Sequence, residues 1–481
     1  MPDSIHCSRR WLALIVLCLG ELMIVLDSTV VNVALPSIRA DLGFSETSLV
    51  WVMNAYVLTF GGFLLLGGRL GDLYGADRLF LIGIVVFTLA SSACGLATTQ
   101  TPLIWARAVQ GFGGAVVGAV SLSLIMNMFT KPGERAKATG VYGFVFSVGG
   151  SMGVLLGGAI TTSFNWHWIF LINLPLGVLV FILFLWLVPA TPRETSVDNE
   201  SDVGRLDVFG AVTVTASLML AVYAIVNGNE AGWASKQSVG IFSAAVVLMV
   251  VFVIIESRVR YPLLPLGLFG SPALSVANIA NALWAAAMFS WFFICALYLQ
   301  RVLGNNAMRV ALAFLPASLV TAILSLGFSA KIVSRFGIKI PFAAGLLLGA
   351  LGFALFAEAP VKGDVLTDVL PGMTLVGIGA GIAFNPLLLS AMNSVEPKDS
   401  GLASGLVNTS TMIGGALGLA ILASAAASWT QKLSIAGAEP LVALNGGYHV
   451  AFAIGAVFAA TAAALGIVLL PAGRVDRLST A

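Results

Sequence analysis

Long apolar runs, parted by short stretches of charge, glycine and proline, recur along the whole chain. They fall at about residues 12–35, 48–68, 79–99, 102–127, 138–160 and 168–188, and again at 207–227, 239–256, 273–299, 310–330, 341–358, 369–392, 401–426 and 449–470. Each is near the ~20 residues a helix needs to cross a bilayer. Backbone groups in lipid must bond within the segment or in a closed barrel, so runs of this length predict helices. The expectation is an all-α polytopic membrane protein with fourteen transmembrane helices. Composition agrees: 59% of residues are hydrophobic and only 10% charged, against ~25% charged in soluble domains. The first run looks like a secretory signal only superficially. Its apolar core is too long and holds two acids, which predicts a retained helix.

Charge changes the picture by fixing direction. With a cytoplasmic N-terminus, seventeen Lys and Arg residues fall on that side and six on the other. That imbalance places both termini in the cytoplasm. A net charge of +2 gives no reason to expect nucleic acid. Cys7, Cys18, Cys94 and Cys295 have no paired spacing, and His6, His167 and His449 are scattered, so neither a disulfide framework nor a metal site is expected. The absence of any Gly-Lys dipeptide excludes a phosphate-binding P-loop within the chain. No nucleophile–base pair is evident, so no enzyme activity and no cofactor are expected.

The two halves repeat. Gly111-Phe112-Gly113-Gly114 is echoed by Gly377-Ile378-Gly379-Ala380. Gly140, Gly149, Gly150 and Gly153 match Gly405, Gly414, Gly415 and Gly418, and Leu70 to Gly75 matches Ile332 to Gly337. Two six-helix bundles then use twelve spans, and the other two form an inserted pair. The expected domains are 1–190 (first bundle), 191–206 (cytoplasmic linker), 207–260 (inserted pair) and 261–481 (second bundle). Parallel repeats of this kind point to a transporter whose site lies near the bilayer midplane.

The chemistry centres on Asp27, inside the first span. A carboxylate there costs about 2.5–3.5 kcal/mol on insertion scales, so it needs a partner, a water-filled cavity or a function. Arg107, the one basic residue well inside a span, lies ~8 Å below the outer surface and Asp27 ~12 Å below it. The two are within reach if their helices are neighbours. An acid that exchanges a cation for a proton suits a proton-coupled carrier, whereas a permanent structural pair is the plainer alternative. Glu21, near the midplane, points ~120° away from Asp27 around the helix. It suits a second proton site, an anchor for a cationic substrate, or a hydrogen bond to a neighbouring helix.

Other polar residues inside spans need partners too. Asn32, Asn54, Tyr56, Gln110, Asn281 and Trp284 are candidates for a substrate cavity, with interhelical hydrogen bonding or packing as the alternative. Trp284, Phe289, Trp291, Phe292 and Phe293 form an aromatic cluster in the ninth span, suited to flat or cationic ligands or to packing. Gly68, Asp72, Gly75 and Arg78 mark a tight cytoplasmic loop that can latch one conformation. Gly149, Gly153, Gly157 and Gly158 form a stripe for close helix approach, either static or sliding.

At these residues the sequence resembles the major facilitator superfamily, and within it the fourteen-span drug:proton antiporters. The resemblance covers essentially the whole chain. Leu26 to Pro36 looks like that branch's first-helix signature. Gly68, Leu70, Asp72, Gly75 and Arg78 are similar to its loop motif, and Arg107, Gln110, Gly111 and Gly113 to its fourth-helix motif. Trp168-Ile169-Phe170-Leu171-Ile172-Asn173-Leu174-Pro175 is similar to the start of its sixth helix. The sequence departs from the family pattern in three places. Ala76 and Asp77 stand where basic residues are usual, Val154 where proline is usual, and His167 where arginine is usual. The resemblance implies alternating access, with lipophilic or cationic drugs or metabolites leaving as protons enter. It assigns Arg107 to the proton relay and the Asp72 loop to the cytoplasmic gate. A dedicated exporter of one natural product or lipid is the alternative, and a non-transporting membrane sensor a more distant one. The implied setting is a bacterial cytoplasmic membrane, with a small molecule, protons and the bilayer as partners and the protein as a monomer.

Overall fold

The computed structural model describes residues 2–45, 47–129, 132–188, 207–259, 262–263, 267, 271–392 and 400–469. The predicted linker, 191–206, lies outside them. Every regular element among the described residues is helical. In chain order the helices are α1 (Pro2–Leu42), α2 (Val50–Tyr74), α3 (Ala76–Gly95), α4 (Gln100–Met128), α5 (Pro132–Ser163), α6 (His167–Leu171) and α7 (Asn173–Leu187). Then come α8 (Val208–Ala231), α9 (Lys236–Arg258), α10 (Pro272–Leu297), α11 (Ala307–Ile323) and α12 (Ser329–Phe336). The chain closes with α13 (Lys339–Phe356), α14 (Leu370–Met392), α15 (Ser400–Ile435) and α16 (Pro440–Leu469).

Twelve helices among the described residues are long and apolar enough to cross a membrane, where the sequence pattern has fourteen. The remaining two predicted spans meet shorter apolar helices, Met152–Ser163 within α5 and Ala307–Ile323. Beyond Ile323 the backbone passes through a π-turn, Leu324–Phe328, into α12. Conversely, α1 runs on past Pro36 to Leu42, although proline there removes one helical hydrogen bond. Burial of Leu35 and Ile38 holds that last stretch in place.

The chain forms two compact units, one of Met1–Ala34, Trp51–Ser217 and Leu248–Leu263, the other of Leu35–Val50, Leu218–Val247 and Leu264–Ala481. Burial grades the helices within them. The apolar windows of α1, α2 and α10 are 72% buried, that of α9 only 17%. α9 exposes Val239, Phe242, Val246, Val247, Val250 and Ile254, a surface suited to lipid and not to water.

The internal repeat is a repeat of packing. In the first unit Gly113 lies against the backbone of Gly83 and Phe87, and in the second Gly379 lies against Gly345 and Gly349. Gly111 meets the Tyr56 carbonyl as Gly377 meets that of Ala317. Gly149 and Gly153 meet Leu22 and Leu26 of α1, and Gly414 and Gly418 meet Ala282 and Ala286 of α10. In all but Gly149, which meets the Leu22 and Val25 side chains, a missing side chain brings the glycine against a neighbouring backbone. The two loop glycines of the repeat, Gly75 and Gly337, both take left-handed φ values of 95° and 74°, a conformation that favours glycine.

Packing this close makes a definite prediction. A Cβ at Gly113 would stand 2.6 Å from the Phe87 nitrogen, while one at Gly150 would meet open space. Gly113→Ala should destabilise by about 1–3 kcal/mol through overpacking. Gly150→Ala should be neutral or gain up to about 1 kcal/mol of helix propensity. Thermal melting of the two variants in detergent checks the contrast.

Candidate functional site: a buried ion pair in the first unit

Four helices bring their polar residues to one point. Arg107 Nη1 on α4 donates to Asp27 Oδ2 on α1 at 2.6 Å, both side chains fully buried. Gln110 lies three residues along α4, on the same face as Arg107. Its Oε1 accepts from Arg107 Nη1 at 2.7 Å and its Nε2 donates to Asp27 Oδ1 at 2.8 Å. Asn173, the first residue of α7, donates from Nδ2 to Asp27 Oδ1 at 3.1 Å and to Ser91 Oγ of α3 at 3.0 Å. Ser91 in turn donates to the Phe170 carbonyl at 2.9 Å.

The glycines explain how the helices come so close. Gly111 puts α4 against α2 at Tyr56 and Thr59, and Arg107 Nε then donates to the Val52 carbonyl at 2.9 Å. Gly153 and Gly157 of α5 pack on α1 at Leu26, Thr29 and Val30, flanking Asp27. The Arg107 guanidinium lies 4.3 Å from the centroid of the Tyr56 ring and 5.6 Å from that of Phe170, an arrangement that stabilises a desolvated cation.

Satisfaction is incomplete. Arg107 Nη2 and the Tyr56 hydroxyl are buried with no hydrogen-bond partner. Glu21 is buried one and a half turns before Asp27 and hydrogen-bonds Tyr142 of α5. It therefore faces a different helix from Asp27, and its Oε2 has no hydrogen-bond partner.

The other predicted site residues are dispersed. Asn32 is buried and donates to the Ser28 carbonyl of its own helix at 3.3 Å. Asn54 is fully buried in α2. Tyr56 and Gln110, expected at a cavity wall, stand in the ion-pair cluster. In the second unit Asn281 ties α10 to α15, donating to the Val407 carbonyl at 3.0 Å and Thr411 Oγ1 at 2.6 Å. Trp284 packs beside Phe353 at 5.9 Å between centroids. Trp291 is ringed by Phe292, Phe314, Phe353 and Phe356 at 4.7–6.4 Å, so this part of the aromatic cluster is packed core. In the loop, Gly75 makes the turn between α2 and α3 and Arg78 is exposed; the Asp72 side chain lies outside those described. Gly68 has open space around it, and Gly158 is buried. His167 bonds the Gly95 carbonyl at 3.0 Å and stacks on Trp166.

Asn173 and Ser91 were not among the residues expected at a site. Asn173 carried a signal, an amide within the apolar run of the sixth span. Ser91 carried almost none, since a serine in a span bonds its own helix as readily as a neighbour. Among the described residues no group of three or more His, Cys, Asp or Glu could hold a metal.

Membrane-length helices, a buried charge cluster and repeated glycine contacts are the features of an integral membrane carrier. The comparisons with known proteins agree. The profile of the Major Facilitator Superfamily matches residues 17–419, and the chain belongs to that family of transporters. It is 36% identical to the puromycin resistance protein pur8 of Streptomyces alboniger, over 93% of this chain and 89% of that one. It is 37% identical to the cephamycin export protein CmcT of Amycolatopsis lactamdurans, over 87% and 85%. The lincomycin resistance protein of Streptomyces lincolnensis is 35% identical over 88% and 85%. These relatives and the fold are those of transporters, not enzymes. The crystal structure of the nucleoside transporter NupG shares the fold, with a TM-score of 0.68 at 14% identity over 96% of this chain and all of that one.

Breaking the cluster should have an asymmetric effect. Arg107→Met leaves Asp27 buried without its cation and should cost about 3–5 kcal/mol. Combining it with Asp27→Asn should cost clearly less than the sum of the two single changes. Asn173→Ala should cost about 1–3 kcal/mol. Melting temperatures of wild type, the two single variants and the double variant in one detergent measure the cycle, and that of Asn173→Ala checks its own cost.

Proposed function

We propose that the protein is a proton-coupled secondary transporter that exports lipophilic or cationic drugs or metabolites by alternating access. The observation that carries this reading is the Asp27–Arg107 pair, buried yet left with unbonded donors at Arg107 Nη2 and the Tyr56 hydroxyl. A pair kept for rigidity alone would be expected to be fully satisfied, because each buried unpaired polar group costs stability. A pair that must open to exchange a cation for a proton is held less completely.

In this reading Asp27 takes up the proton and Arg107 is the counter-charge it releases. Gln110 and Asn173 hold the carboxylate in place, and Glu21 on the same helix serves the same proton path. Asn32, Asn54, Tyr56, Gln110, Asn281 and Trp284 are assigned to the substrate route, and the loop bearing Gly68, Asp72, Gly75 and Arg78 to the cytoplasmic gate. Gly149, Gly153, Gly157 and Gly158 form the face on which α5 moves against α1. We read the chain as a monomer of fourteen spans, the short helices Met152–Ser163 and Ala307–Ile323 supplying the last two. Two six-helix bundles, 1–190 and 261–481, flank a linker and the inserted pair 207–260, with both termini in the cytoplasm of a bacterial cell. The puromycin, cephamycin and lincomycin relatives support export of an antibiotic-like compound. The cephamycin exporter also favours a second reading, a carrier dedicated to one natural product. Resistance to several chemically unrelated toxicants on expression would separate the two.

The coupling test is direct. In vesicles, Asp27→Asn should lower export driven by a pH gradient at least tenfold while leaving substrate binding within a few-fold of wild type. Export that remains fully responsive to the pH gradient in this variant removes Asp27 from the mechanism.

A further inference from the structure

The last turns of α1, beyond Leu35, belong to the second compact unit, together with α10 and α16. A cavity of about 450 Å³ opens there, lined by Pro36, Arg39, Ala40, Gly43, Phe44 and Arg301. Two of its six lining residues carry guanidinium groups and none carries a carboxylate. Gly43, with a left-handed φ of 69°, turns the chain back so that the Phe44 carbonyl accepts from Arg39 Nε at 3.2 Å. That bond anchors Arg39 at the wall. Arg301 comes from the π-helical turn Tyr298–Val302 that ends α10, and the Tyr448 side chain of α16 lies beside it. Both arginines are part-buried, so their mutual repulsion is only partly screened by water.

Two guanidiniums converging on one cavity match the planar, bidentate geometry of a carboxylate or phosphate. The volume falls in the range of small-molecule sites, about 300–1,000 Å³, and exceeds what a bare inorganic anion fills. Pro36, Ala40 and Phe44 supply apolar walls for the remainder. We propose that this cavity binds an amphiphilic anion, its carboxylate or phosphate between Arg39 and Arg301 and its apolar part against Pro36, Ala40 and Phe44. On the orientation proposed above, the cavity lies at the outer face, where an exported anion or a lipid headgroup would meet it.

The test uses purified full-length protein, decanoate below its micellar concentration as probe, and decanol as the uncharged control. Decanoate should raise the melting temperature saturably and decanol should not. Arg39→Gln and Arg301→Gln should each raise the half-saturating decanoate concentration at least tenfold, and Arg39→Lys and Arg301→Lys, which keep the charge but lose the planar fork, should raise it by less than the glutamine variants do. Equal half-saturation in wild type and both glutamine variants, or equal protection by decanol, overturns the site. Nanodiscs of phosphatidylcholine with and without one-fifth phosphatidylglycerol then identify the source of the anion. Competition by phosphatidylglycerol that disappears in Arg301→Gln supports the site and names a lipid headgroup. Decanoate binding unaffected by phosphatidylglycerol supports the site and names a soluble or exported amphiphile. Asp27→Asn should bind decanoate as wild type does, so failure of the coupling mechanism and failure of this site give different results.

Discussion

A carboxylate and a guanidinium that have lost their water must hold each other, and the first unit is built around that necessity. Removing a single ion to a low-dielectric interior costs several kcal/mol even after relaxation. The chain meets this cost locally. Asp27 receives bonds from Arg107, Gln110 and Asn173, and Arg107 is bonded further to Val52 and covered by Tyr56. These contacts come from α1, α2, α4 and α7, with Ser91 of α3 bracing Asn173. The glycine at 111 lets α4 approach α2, and those at 153 and 157 let α5 cover α1 on either side of Asp27. Small residues thus close the packing around the charge pair and help keep water from it.

Much of this was legible in the sequence, and the reasons differ from residue to residue. The pairing of Asp27 with Arg107 could be anticipated because the chain has one arginine well inside a span and helical rise puts it at matching depth. The glycine stripe could be read from four-residue spacing alone. The places of Gln110 and Tyr56 could not, because they depend on the rotation of each helix about its axis, which the apolar runs do not encode. These spans are apolar nearly all round, so the periodicity that orients a soluble helix is weak. Asn173 was hidden for a related reason, since it bonds across 146 residues of sequence. The π-turn at Leu324–Phe328 was not legible either, because the apolar run through it reads as continuous.

The packing repeat carries a further consequence when the two units are read position by position. The contacts of Gly149 and Gly153 with Leu22 and Leu26, set beside those of Gly414 and Gly418 with Ala282 and Ala286, place Ala287 where the first unit has Asp27. By the same logic Gly111 and Gly377 place Met373 opposite Arg107 and Val376 opposite Gln110. The glycine contacts at 83, 87, 345 and 349 place Phe353 opposite Ser91. Ala287, Met373, Val376 and Phe353 are all buried. The positions of the first unit's ion-pair network are apolar in the second, where Phe353, Phe314 and Phe356 pack around Trp291.

This asymmetry bears on why a duplicated scaffold would keep its charges in one copy. An apolar core such as that around Trp291 gains from burial at every contact and has no favoured reason to open. A buried ion pair sits near a balance between desolvation and attraction, so a proton or a water molecule can tip it. Two identical charged units would give two such balances with no rigid reference for either. On the proposed mechanism, one polar and one aromatic unit with similar glycine-mediated helix contacts would combine a part that can respond with a part that resists. The similarity of the backbones and the difference in their cores then belong to a single division of labour.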